Sequence, residues 1–93
     1  MTEKEILRYF ARMKGISFEG NTEGGHNVSV YDNNGDEIAM LCPRFNIISF
    51  YDESIFFNKV TPAIIKEKIK NFAIREKLYA IQERIVKANG DFV

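Results

Sequence analysis

Hydrophobic spacing near the start of the chain predicts an amphipathic helix over residues 2–14. Its apolar residues recur at steps of three, one and three, which places them on one stripe of a helix: Ile6, Tyr9, Phe10 and Met13. Thr2 followed by Glu5 matches a capping box at the start of this helix. Gly15 occupies the position expected for a C-terminal cap.

Alternation of polar and apolar residues in the middle of the chain predicts an antiparallel meander of three or four strands. The three clear strands are 27–31, 37–42 and 45–51, and a fourth short strand is expected at 55–57. Residues 16–18 can form a short edge strand, and the glycine-rich segment that follows reads as a loop.

The turn sequence Asn34-Gly35 sets the pairing of the first hairpin. A loop of two or four residues at this position pairs Val30 with Ala39 and Val28 with Leu41. The next connection carries Pro43 and, at its end, an asparagine (Asn46) that tolerates the left-handed conformation. This second turn pairs the third strand so that Ile48 faces Leu41 and Phe50 faces Ala39.

These registers give the predicted sheet two different faces. One is wholly apolar and is expected to be covered by the helices: Val28, Val30, Ala39, Leu41, Ile48 and Phe50. The other, which we call the mixed face, has an apolar centre and a polar and tyrosine margin: Asn27, Ser29, Tyr31, Ile38, Met40, Cys42, Ile47, Ser49 and Tyr51. Such a composition is typical of contact surfaces, and Ile38, Met40 and Ile47 are the candidate interface residues. Coverage by the chain itself, a protein partner and a small-molecule site all remain open.

The last predicted element is a long helix that begins at Thr61-Pro62 and meets no breaking residue before Gly90. One side of it carries Ile65, Ile69 and Phe72. Nearly the opposite side carries what we call the α2 seam: Ile74, Leu78, Ile81 and Ile85. A straight helix on one sheet cannot bury both sides. Either the helix breaks near residue 72, or it continues and the seam packs against something else, most simply a second copy in a homodimer.

Charge is zero in total but unevenly distributed along the chain. Residues 1–14 hold four basic and two acidic side chains, residues 15–58 one and seven, and residues 59–93 eight and four. Four cations of the long helix fall within about 40° of each other on a helical wheel and form what we call the basic stripe: Lys66, Lys70, Lys77 and Arg84. The stripe suits the phosphates of a nucleic acid, and it equally suits a solvated helix face.

Motifs for catalysis, metal binding or cofactor binding are absent from the sequence. It has no phosphate-binding glycine loop, no Cys-x-x-Cys and no His-Glu-x-x-His. Cys42 and His26 are expected on opposite faces of the sheet, so they form no nucleophile pair. We therefore expect no enzyme activity, no cofactor and no metal. A single cysteine and the lack of a signal peptide indicate the cytoplasm, and no apolar run is long enough to cross a membrane.

The predicted order of helix, three strands and helix resembles the topology of double-stranded-RNA-binding domains over residues 2–88. The second helix of those domains begins with a lysine cluster, whereas Pro62-Ala63-Ile64-Ile65 occupies that position here. The resemblance is one of topology alone, and it assigns the chain to no family.

The sequence therefore predicts one α+β domain over residues 1–93, with an N-terminal helix, a meander and a long C-terminal helix. The expected function is a small non-enzymatic interaction module that self-associates as a dimer or binds a protein partner. The alternative is a nucleic-acid-binding accessory protein that uses the basic stripe. An excess of isoleucine, asparagine and lysine over leucine is typical of AT-rich genomes and suggests a low-GC bacterium or its phage.

Overall fold

A computed structural model of the chain describes residues 1–21 and 25–90, and for residues 79–90 it describes only the helical backbone. Two helices enclose the strands in sequence: α1 (Glu3–Ala11), β1 (Ser17–Gly20), β2 (Val28–Tyr31), β3 (Glu37–Cys42), β4 (Ile47–Phe50), β5 (Ser54–Phe56) and α2 (Pro62–Gly90). The strands form one antiparallel sheet in the order β1-β2-β3-β4-β5. The predicted α+β fold is confirmed. The sheet has five strands, more than the three or four expected, because both short edge segments pair.

Helix α1 begins with the predicted capping box. The Glu5 amide donates to Thr2 Oγ1 (3.2 Å), and the Thr2 amide donates to Glu5 Oε1 (3.0 Å). Hydrogen bonding to Thr2 lowers the pKa of the Glu5 carboxyl below its ordinary value. The helix ends earlier than predicted, with Arg12 as its C-cap: the Arg12 amide donates to the Arg8 carbonyl oxygen (3.2 Å), and the Met13 amide donates to the Phe10 carbonyl oxygen (3.0 Å). Gly15 then takes a positive φ of 84° in the connection to β1.

The first hairpin has the predicted strand register, but its loop differs from the predicted one. The Gly35 amide donates to the Asp32 carbonyl oxygen (3.1 Å), and the Asp32 amide donates to the Asp36 carbonyl oxygen (2.9 Å). Asp32 and Asp36 therefore close a loop of three residues rather than two or four. Within this loop only Gly35 has a positive φ, at 81°, whereas the two-residue type I′ turn requires two such residues. Tyr31 pairs with Glu37, and a β-bulge then restores the expected pairing of Val30 with Ala39.

This bulge corrects the prediction for Ile38. The extra residue that it accommodates lies between the Tyr31–Glu37 and Val30–Ala39 pairs. A bulge interrupts the strict alternation of side chains, and both Ile38 and its neighbour Ala39 are buried at 3% exposure. Ile38 therefore belongs to the core and not to the mixed face, where the alternation of an unbroken strand had placed it.

The connection from β3 to β4 forms as the sequence predicts. A short 3₁₀ turn covers Pro43–Phe45, and Asn46 follows in the left-handed conformation with φ 54° and ψ 38°. The Asn46 amide donates to the Pro43 carbonyl oxygen (3.2 Å). Leu41 then pairs with Ile48, and Ala39 pairs with Phe50, as expected.

Both helices contribute to a single hydrophobic core on one face of the sheet. Helix α1 supplies Ile6 and Phe10, which are fully buried, and α2 supplies Ile65 and Phe72. The sheet supplies the predicted apolar face together with Ile38. Phe57 and Val60, in the connection between β5 and α2, complete the buried set.

Helix α2 starts where predicted and continues without a break. The Thr61 hydroxyl oxygen accepts a hydrogen bond from the Ile64 amide (3.3 Å), and Pro62 is the first helical residue. The helix then runs for 29 residues to Gly90, a length of about 43 Å at 1.5 Å per residue. Of the two alternatives left open by the sequence, the break near residue 72 is therefore excluded.

A partly buried lysine of α2 forms ion pairs with the turn between β4 and β5. Lys68 Nζ contacts Asp52 Oδ2 (2.8 Å) and the carboxylate of Glu53, and the lysine side chain is only 12% exposed. Its ammonium group also lies 6.0 Å from the centre of the Phe50 ring. Burial alone lowers the pKa of Lys68, but the hydrogen bonds and charges of the two carboxylates outweigh it, so the net pKa is raised.

We expect Lys68→Met to cost about 1 kcal/mol of folding free energy near neutral pH, the upper range for a partly exposed ion pair. Because the folded-state pKa of Lys68 is raised, its contribution is complete below the ordinary value of 10.5 and is lost as the pH rises through the folded value. Urea unfolding from pH 7 to strongly alkaline pH measures this difference. The exposed Lys70→Met is the control, and an equal cost for both variants at pH 7 would refute the prediction.

Candidate interaction surfaces

The described part of the α2 seam is an exposed apolar surface. Phe72 is the last residue of α2 that the structure describes as buried, and every side chain described after it, from 73 to 78, is exposed. Ile74 is 47% exposed and Leu78 56% exposed. The other two predicted seam residues, Ile81 and Ile85, lie where the structure describes only the backbone of α2.

Helix geometry places the seam on the side of α2 that faces away from the sheet. Ile74 follows the buried Ile65 by nine residues, which corresponds to about half a revolution around the helix. The same line along the helix carries Asn71 and Glu67 before Ile74. The apolar part of this line therefore begins at Ile74, beyond the part of α2 that is packed on the sheet.

The mixed face of the sheet is the second predicted surface, and its centre is half-exposed. Met40, Cys42 and Ile47 are all partly accessible. The two helices pack on the opposite face, and β1 extends the sheet at its edge. No element among the described residues therefore lies over the mixed face.

Polar contacts cross the mixed face between neighbouring strands. The Ser49 and Ser54 hydroxyl groups are 2.8 Å apart, and the Tyr31 hydroxyl donates to Glu19 Oε2 (3.0 Å). The hydrogen bond to Glu19 raises the pKa of the Tyr31 phenol above its ordinary value. These two hydrogen bonds pair polar side chains at the margin of the mixed face, and neither of them covers its apolar centre.

Two residues assigned to the mixed face belong elsewhere. Ile38 is in the core, because of the bulge in the first hairpin. Tyr51 follows the end of β4 and turns towards α2, where its ring lies 5.6 Å from that of Phe72. Arg75 also contacts Tyr51, and its guanidinium carbon lies 5.3 Å from the centre of the Tyr51 ring. Of the predicted sheet interface residues, Met40 and Ile47 remain on the mixed face.

Two exposed phenylalanines are absent from the surface residues that the sequence predicts. Phe45 is 67% exposed and Phe56 57% exposed. Both line a cleft of about 690 Å³ beside the N-terminus. The pairing of Phe56 with Ile47 places Phe56 on the mixed face, and an extension of the predicted alternation into β5 is the signal that indicates it. Phe45 lies in the 3₁₀ turn, for which alternation predicts no face.

The two predicted interaction surfaces do not form one continuous surface. Side chains alternate between the two faces of a strand, so the mixed face points away from the core on the sheet side. The α2 seam points away from the core on the helix side. Met40 and Ile47 therefore lie on the opposite side of the domain from Ile74 and Leu78.

The described part of the basic stripe is exposed. Lys66, Lys70 and Lys77 are all accessible, and no ion pair joins any of them to another side chain that the structure describes. The fourth member, Arg84, lies outside the described side chains. Lys68, which the stripe omits, is the lysine that pairs with the acidic turn of its own chain.

Metal binding and membrane spanning are two further possibilities for a chain of this size. Within residues 1–21 and 25–90, as far as side chains are described, no cluster of His, Cys, Asp and Glu is able to hold a metal ion. Nor does the described part of the chain contain a helix that is both long enough and apolar enough to span a bilayer.

Comparisons of the chain with protein-family models, with curated proteins and with solved structures give no match. The function proposed below therefore rests on the residues and geometry of this chain.

Proposed function

We propose that this chain is a small non-enzymatic interaction module whose copies associate through the α2 seam. One observation carries the proposal: α2 continues unbroken past Phe72 and exposes the apolar side chains of Ile74 and Leu78. The sequence extends the same spacing through Ile81 and Ile85. The non-enzymatic part of the proposal is supported by the lack of a catalytic motif in the sequence.

A second copy supplies the packing that the end of α2 lacks in the monomer. Helices in water gain most of their stability from tertiary packing of an apolar face, and the apolar side chains of Ile74 and Leu78 are exposed in the monomer. Burial of a leucine or isoleucine side chain contributes about 1.5–3 kcal/mol. Four such residues per helix, at steps of four, three and four, match the repeat of two packed helices.

Symmetry favours contact between two seams over contact between a seam and a mixed face. The seam and the mixed face point in opposite directions, so each copy that docked its seam on a neighbour's sheet would leave its own sheet free for another copy. Such a head-to-tail contact produces an open chain of molecules or a larger ring, whereas two seams related by a two-fold axis form a closed dimer. We therefore propose a dimer with the mixed faces on its outer sides.

Static light scattering over a range of protein concentrations tests this proposal. The expected mass is that of two chains of 10.8 kDa, with no growth beyond the dimer as the concentration rises. A mass of one chain at the highest concentration would refute self-association. Continuous growth would instead indicate the head-to-tail arrangement.

A nucleic-acid-binding accessory protein is the second candidate function. The observation that favours it is the exposure of Lys66, Lys70 and Lys77 along one side of α2 without an ion pair to a described side chain. Phosphate contacts from these lysines would make the affinity fall steeply as salt is raised. Binding that is absent or independent of salt would exclude this candidate.

We further propose that the module acts in the cytoplasm of a low-GC bacterium or its phage. The single cysteine, Cys42, is free and suits a reducing compartment. The excess of isoleucine, asparagine and lysine supports the proposed origin. Fractionation of the cells that make the protein tests the compartment, and recovery from a secreted fraction would refute it.

A further inference from the structure

Cations flank the α2 seam on both sides. Lys70 and Lys77 lie seven residues apart on one side, and Lys77 directly precedes Leu78. Arg75 lies on the other side and rests against the ring of Tyr51. The acidic Glu76 falls on the side of α2 that carries Phe72, away from the seam. The lysine flank is therefore exposed and has no carboxylate beside it between residues 70 and 78.

A two-fold dimer through the seam brings this flank to the edge of the interface in both copies. The dimer then carries Lys70 and Lys77 twice, close to the line where the two helices meet. Like charges one turn apart on a single helix cost about 0.2–0.5 kcal/mol per pair, and we take the same size for a lysine that faces a cation of the other copy. This repulsion is small beside the burial of the seam, at about 1.5–3 kcal/mol per apolar side chain. Burial of the seam therefore outweighs the repulsion between the lysines in the proposed dimer. An anion bound at the edge of the dimer would neutralise these lysines and lower the repulsion.

We propose that the paired lysine rows of the dimer bind the phosphate backbone of a nucleic-acid duplex, and that duplex binding and dimerisation strengthen each other. This inference rests on the proposed self-association through the seam. It differs from the second candidate function, in which the stripe of a single copy binds on its own. The lysine rows contact phosphates only, so the proposed binding is independent of base sequence.

A duplex suits the lysine rows better than a membrane surface does. An amphipathic helix that lies on a membrane inserts its apolar face into the lipid and keeps its cations at the headgroups. In the proposed dimer the apolar seam is already buried between two helices, so a membrane would have to separate the copies. A duplex needs only the charged edge and leaves the seam closed.

Coupling between the two equilibria is reciprocal. If the duplex tightens the dimer by a given factor, dimerisation must tighten duplex binding by the same factor. Salt acts in opposite directions on the two steps. It screens the lysine repulsion and strengthens the free dimer, but it weakens duplex binding, because the release of counterions is less favourable at high salt.

The test uses the full chain, a short mixed-sequence duplex DNA as the probe, and the double variant Lys70→Gln, Lys77→Gln. In the absence of DNA, sedimentation should show a dimer about two- to fivefold tighter than that of the unmodified chain, because like-charge pairs are removed. Its affinity for DNA should fall, and the salt slope should shrink by about 0.9 for each phosphate that the variant no longer neutralises. Added DNA should raise the dimer fraction of the unmodified chain.

The matched control is Lys4→Gln, Lys14→Gln, which removes the same charge from exposed positions of the N-terminal segment. Equal effects of the two double variants would overturn the proposal, as would a failure of DNA to bind or to raise the dimer fraction. If the unmodified chain is dimeric and DNA has no effect, self-association stands and this inference fails. If the chain is monomeric throughout, the proposed function itself fails. Anionic lipid vesicles that bind the chain and dissociate the dimer would show a membrane surface in place of the duplex.

Discussion

Replacing Leu78 with aspartate is expected to weaken self-association by about 100-fold or more. Leu78 is 56% exposed in the single chain, so each copy loses roughly 1 kcal/mol of apolar burial in the dimer. A carboxylate held in an apolar seam adds a desolvation cost of similar or larger size. Two copies per dimer bring the total to about 4 kcal/mol, and because about 1.4 kcal/mol corresponds to a tenfold change in affinity, this total covers a loss of 100-fold or more. Sedimentation equilibrium of the variant measures it.

Ala73→Asp is the control for this variant. It introduces the same carboxylate within α2, at an exposed position that is off the seam. Neither substitution removes a buried side chain, so both variants should keep the helical content and unfolding midpoint of the single domain. Equal dimer affinities for Leu78→Asp and Ala73→Asp would show that the seam is not the contact surface.

Replacing Phe10 with alanine is expected to cost about 3–5 kcal/mol of folding free energy, the range for removing a fully buried aromatic side chain. Phe10 is 0% exposed and joins α1 to the core. Small domains have total stabilities of about 5–15 kcal/mol, so this one substitution removes a large part of the stability. Urea unfolding followed by circular dichroism measures the change.

Phe45→Ala is the matched control for the core substitution. The same atoms are removed from a side chain that is 67% exposed in the turn between β3 and β4. Surface substitutions of this kind change stability by about 0.5 kcal/mol or less. Similar costs for the two variants would contradict the burial that the structure assigns to these phenylalanines.

The registers of the central strands were predictable because both turns carry a clear signal in the sequence. Asn46 adopts the left-handed conformation expected of it, and the pairing of β3 with β4 follows. The first hairpin has the predicted pairs but not the predicted loop, because one positive-φ glycine, Gly35, supports a three-residue loop. Alternation alone does not reveal the bulge that absorbs the extra residue, and the predicted position of Ile38 was therefore wrong.

The exposed residues of α2 were predicted from the sequence, whereas the two exposed phenylalanines were not. Helical spacing separated Ile74 and Leu78 from the core-facing residues, and the structure exposes both. Spacing alone did not decide whether α2 breaks, because a broken and a continuous helix both bury Ile65 and Phe72, and no glycine or proline near residue 72 forces a break. The exposure of Phe45 was missed because a residue in a 3₁₀ turn carries no periodic signal, and that of Phe56 was missed because the alternation was not extended into β5.

The arrangement of the proposed dimer is tested most directly by cross-linking single cysteines with a short bismaleimide. Cys42 is the single native cysteine and lies on the mixed face, so the unmodified chain reports on contact between sheets. Leu78→Cys in a Cys42→Ser background reports on contact between seams. We predict that the cysteine at position 78 cross-links two chains efficiently and that Cys42 does not. Efficient cross-linking through Cys42, with none at position 78, would contradict association through the seam.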